Sequence, residues 1–192
     1  MERREAARRF VDFLRGGSAP WRYPHNRLPE FEPFFGKFFR GEQQSVGEAD
    51  YAVVDAIIKV VGVRVRHHWN CGKPRYLRGQ DRIVLPLKSY FQDEAHYQAT
   101  RLHEILHAAE QPHRANWTGP CHQGEFIAEA GTAMLLSHLL LPHDADNKNV
   151  EKWLPWWAME IAIDPAYLFD AIAQAERSVN YLLGLRRLKE AA

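Results

Sequence analysis

Apolar residues recur every three or four positions along most of this chain, and every second position over one short stretch. Val46, Ala49, Val53, Ile57 and Val60 keep helical spacing and predict a helix over 46–59. From Val61 to Arg66 the chain alternates apolar and basic residues, as a half-buried strand does. Asn70-Cys71-Gly72-Lys73-Pro74 marks a turn. Tyr76-Leu77 and Arg82-Ile83-Val84-Leu85-Pro86 then read as two short strands around a Gly79-Gln80-Asp81 turn. Three strands in succession predict an antiparallel meander.

Helical periodicity returns over 94–110, 122–140, 148–160 and 165–185, with Pro142 ending the second of these. In the first, Ala95, Ala99, Leu102, Leu106 and Ala109 form an apolar stripe, and His96, Thr100, His103 and His107 form the stripe beside it. A helix, a small antiparallel sheet and then a run of helices is an α+β order. Upstream, residues 2–15 set Arg and Glu against Ala7, Phe10, Val11, Phe13 and Leu14, an amphipathic helix stopped by Gly16-Gly17. Residues 18–44 are rich in proline and aromatics, which suits a segment packed on a body better than a free linker. The expected organisation is therefore an N-terminal segment, 1–45, lying on a main domain, 46–192.

Composition narrows the function. At 192 residues, 46% hydrophobic and 26% charged, the chain has the size and balance of one globular domain. A net charge of +1 gives no global field for nucleic acid, although Arg3, Arg4, Arg8, Arg9 and Arg15 crowd the start. No apolar run nears the ~20 residues of a membrane span, and Met-Glu-Arg-Arg-Glu leads into no signal-like stretch. Cys71 and Cys121 form neither a CxxC pair nor a disulfide framework. The expected setting is the cytoplasm, without a membrane.

The chemistry centres on His103-Glu104-Ile105-Leu106-His107, an HExxH stretch. Positions four apart share a helix face, so both imidazoles can meet one Zn²⁺ while Glu104 stands beside it as a base for the attacking water. A third protein ligand is needed, and the next helix offers Glu125 and Glu129. Glu129 lies on a face with Phe126, Ala133 and Leu136, where a carboxylate is costly unless a cation satisfies it. Glu129 is the expected third ligand, with Glu125 as the alternative or as a partner behind it. Ala130 and Gly131 would let the two helices approach closely. Nearby His113, His122, His138 and His143 fit loop or surface roles better than ligand roles. Tyr97 is an alternative oxyanion donor and Cys121 a soft ligand of lesser merit. Because His ligands must be neutral, affinity for the metal should fall in acid.

Several separated motifs also resemble a known family. Tyr76-Leu77, Asp81 to Pro86, Phe91 and His96-Tyr97-Gln98-Ala99-Thr100 lead into the HExxH stretch. Glu125-Phe126-Ile127-Ala128-Glu129 follows, and then Trp153, Asp164-Pro165, Ala171, Ala175 and Tyr181-Leu182. This order, over roughly 46–185, resembles the ArdC-like antirestriction proteins, whose metallopeptidase domain also occurs in TraC-type primases and phage polyvalent proteins. The resemblance implies a zincin-like fold, bound zinc held by His103, His107 and Glu129, Glu104 as base, and a peptide or protein substrate. Ala108-Ala109 depart from the family, which has an aromatic and a small polar residue there. Family members also carry an N-terminal single-stranded-DNA-binding domain. Phe13 to Trp21 resembles only its opening, and 22–45 is too short for the rest. The rival expectation is a single-stranded-DNA-binding module with a structural or vestigial zinc, using Arg3 to Arg15, Trp21 and Tyr23.

Overall fold

The computed structural model describes residues 50–142 and 148–190. The expected N-terminal helix, the aromatic segment, the first positions of the 46–59 helix and His143 lie outside them. Helix α1, Ala52–Val61, buries Val54, Ile57 and Ile58. It stops at Gly62, whose φ of 79° lets its N–H reach back to the carbonyl of Ile58.

Three strands follow: β1 (Arg64–His67), β2 (Arg75–Leu77) and β3 (Arg82–Leu85). Their order is β1-β3-β2, with β3 parallel to β1 and antiparallel to β2. The antiparallel meander expected from sequence is thereby corrected to a mixed sheet. Burial decides the order. Ile83 and Leu85 are fully buried, and the most apolar strand takes the middle. The Arg-Val-Arg-His alternation of β1 suits an edge, where charged side chains meet water.

Helix α2, Glu94–Ala109, is capped by Asp93, whose carboxylate accepts the His96 N–H at 2.8 Å. Ala99, Leu102, Leu106 and Ala109 of the expected stripe are buried, joined by Ile105 and Ala108. Helices α3 (Cys121–His138), α4 (Lys148–Ile163) and α5 (Ala166–Glu190) complete the described chain. Helix α5 packs along α3 and α1 through Leu168, Ala171, Ala175, Val179 and Leu182. Among the described residues no helix is long and apolar enough to cross a membrane.

Two contacts place the functional helices. Helix α3 lies against α2 at Gly131, where an added Cβ would stand 2.8 Å from Leu106 Cδ2. Leu106 is fully buried, so a side chain at 131 would have to displace it within a packed core, and glycine permits the close approach that its sequence suggested. The reversal after α2 is fixed by Arg114, which forks onto Asp81 at 2.9 and 2.7 Å and donates to the Ala108 carbonyl at 2.8 Å. The Tyr76 hydroxyl donates to the same aspartate. One polar cluster thus ties the sheet to the chain leaving α2.

Candidate metal centre

His103 and His107 lie on one face of α2, four residues apart, with their rings nearly perpendicular and centroids 4.8 Å apart. Their Nε2 atoms converge to 3.1 Å. Zinc–nitrogen bonds of ~2.0–2.1 Å at a tetrahedral angle separate two ligand nitrogens by roughly 3.3 Å. The imidazoles are thus already at the spacing one ion requires.

Because α3 packs closely on α2, it brings both of its candidate carboxylates to the histidines, one helical turn apart. Glu125 faces the two Nε2 atoms: its oxygens lie 3.6 Å from His103 Nε2 and 3.8 Å from His107 Nε2. Glu129 meets the other side of the first ring, with Oε1 3.2 Å from His103 Nδ1. Among the described residues, His103, His107 and Glu125 are the group whose ligand atoms gather within 4.8 Å of one another. The expected ligand Glu129 is therefore at the site, but on the nitrogen that points away from it. A carboxylate there takes the ring N–H and turns the opposite nitrogen to a metal.

Glu104 is buried, with 4% of its surface exposed, and its Oε2 has no hydrogen-bond partner. Burial pushes its pKa up. His103 and His107 pull against that, Glu125 adds to it, and a backbone N–H of Tyr76 favours the ionised form. Burial lowers the pKa of His103, but Glu129, Glu125 and Glu104 outweigh it and carry the value well above that of an ordinary imidazole. Among the described residues, three carboxylates thus face the two imidazoles, surroundings that favour a cation. Two imidazole nitrogens, a carboxylate and an orphaned buried oxygen beside them form a donor set and charge balance that fit zinc.

The other sequence candidates lie elsewhere. Tyr97 is buried and its hydroxyl is 2.9 Å from His67 Nε2. His122 stacks between Trp156 and Tyr167 and faces Glu160 at 3.7 Å. His113, His138 and Cys121 are exposed. Sequence reasoning passed over Glu110, which is fully buried with Oε1 3.3 Å from His107 Nδ1. Its place three residues after His107, on the same helix face, was the available signal.

Comparison with known proteins addresses the family and the fold. The sequence model of the zincin-like metallopeptidase family matches residues 52–174. The antirestriction protein ArdC of plasmid R388 has a similar structure in two forms. The Mn(II)-bound form has a TM-score of 0.62 at 24% identity, over 73% of this chain and 54% of that one. The metal-free form has a TM-score of 0.62 at 23% identity, over 78% and 55%. This chain therefore spans about half the length of those proteins, and the likeness is one of fold. No curated protein sequence matches. The family match runs from α1 into the first part of α5, including both helices of the site, and the chain belongs to the zincin-like metallopeptidases, a zinc-binding family with an α+β fold.

Proposed function

We propose that the chain is a zinc-dependent hydrolase of peptide bonds, acting on a peptide or protein substrate. The observation that carries this is the convergence of His103 Nε2, His107 Nε2 and the Glu125 carboxylate beside the orphaned oxygen of Glu104. The best-supported ligand set is His103, His107 and Glu125. Glu129, expected from sequence as the third ligand, is better supported as the group that orients His103, because it stands on Nδ1. A bound zinc ion supplies Lewis acidity, lowering the pKa of a water and polarising a carbonyl.

The chain's own residues do the rest. Glu104 is held against the histidines with one oxygen committed to no partner, so it can take the proton of an attacking water and return it to the leaving amine. The fold shared with ArdC, an antirestriction protein, supports a role on a mobile element, where the peptidase would act on a protein of the recipient cell. The test is to incubate zinc-loaded protein with unfolded protein substrates and to identify new N-termini by mass spectrometry. Glu104→Gln is expected to keep the zinc and lose roughly 10²–10⁴-fold in rate, and a chelator should stop cleavage until zinc is returned. Cleavage undiminished in Glu104→Gln, or none by a zinc-loaded wild type, would contradict the proposal.

A further inference from the structure

We propose that Glu110 is a positioning residue that selects which nitrogen of His107 faces the metal, a role outside the HExxH pattern; this rests on the metal-centre reading above. Glu110 follows the last residue of α2 and lies three positions from His107, so both side chains share one face. Its side chain is fully buried and faces two nitrogen groups. Oε1 is 3.3 Å from His107 Nδ1, and Oε2 accepts from Arg78 Nη2 at 2.7 Å.

A carboxylate has acceptor oxygens and no donor. It can satisfy both neighbours only by taking an N–H from the Nδ1 side of the ring. A neutral imidazole has one N–H, so His107 is left with a bare Nε2, the nitrogen 3.1 Å from His103 Nε2. Arg78 supplies the cation that a fully buried carboxylate needs. It comes from the turn that follows β2, so the sheet reaches the metal centre through this pair. Each histidine then has its own carboxylate on Nδ1, Glu129 from α3 for His103 and Glu110 from its own helix for His107.

Glutamine at 110 would keep the shape but offer one oxygen and one NH₂ group to two neighbours that both donate. One of them must then face a donor. Removing the Arg78 guanidinium frees that oxygen for His107. These relations set the test, a zinc competition titration against a chromophoric chelator, with metal-free melting temperatures measured alongside. Glu110→Gln should bind zinc roughly 10–100-fold more weakly. Arg78→Met combined with Glu110→Gln should recover part of that loss, which a purely structural role for Glu110 would not produce. In zinc-loaded wild type, ¹⁵N NMR of the imidazoles should find His107 protonated at Nδ1, and this reading stands even where a variant does not fold. Wild-type affinity in Glu110→Gln, a loss unrelieved in the double variant, or metal on Nδ1 of His107 would overturn the inference. A wild type that takes up no zinc would overturn the metal-centre reading itself, and this inference with it.

Discussion

Two polar clusters touch the C-terminal half of α2, and their charges are balanced in opposite ways. In the first, Asp81 meets Arg114 in a two-pronged pair, Tyr76 donates to the same aspartate, and Arg114 also closes on the Ala108 carbonyl. One anion faces one cation, and each has partners. Chiefly through Arg114, the Asp81 pKa falls below that of an ordinary carboxylate, while Tyr76 is pushed up to about 12, first by burial and then by Asp81. In the second cluster, among the described residues, three carboxylates, Glu104, Glu125 and Glu129, gather about the imidazoles of His103 and His107. Burial raises Glu104 and leaves its Oε2 without a partner. A balanced cluster is finished by folding; an unbalanced one is finished by a cation from solution.

The contrast can be attacked from either side. Asp81→Asn unbalances the first cluster while keeping a residue that tolerates the left-handed φ of 42° found there. Arg114, with 4% of its side chain exposed, loses its counter-charge. A fully buried pair would cost about 3–5 kcal/mol; because Asp81 is partly exposed, we expect roughly 2–3 kcal/mol, measured by denaturant unfolding, with zinc uptake unchanged. Gly131→Val attacks the second cluster by wedging α3 away from Leu106. Overpacking of this kind costs about 1–3 kcal/mol, and zinc affinity should fall more than the change in stability alone accounts for. The smallest effect is an acid limb. Asp81 titrates lower folded than unfolded, so its contribution is fully present above the unfolded value of about 3.9 and is lost as pH falls through the lower folded value. Melting temperatures followed below about pH 5 should fall less steeply in metal-free Asp81→Asn than in metal-free wild type.

Much of this was legible in the sequence, and what was not has physical causes. The helix carrying HExxH could be read because its apolar stripe and the spacing of its histidines are both local. The strand order could not, since neighbours in sequence are poor guides when β3 is the strand that must be buried. Glu125 and Glu129 were both found, yet periodicity does not say which ring nitrogen each will meet. That depends on how α3 lies on α2, fixed by Gly131 against Leu106. Glu110, at the end of its helix, was passed over. It is buried only because the chain reverses at Arg114 and brings Trp117 back, its N–H bonding the Glu110 carbonyl at 2.8 Å.

The most direct test of the unbalanced cluster is the zinc content of purified protein by elemental analysis, with His107→Ala prepared beside the wild type. About one zinc per chain in the wild type, as a single donor set requires, and its loss in the variant is the expected result. No zinc in the wild type, even after reconstitution at neutral pH, or equal zinc in both, would contradict it.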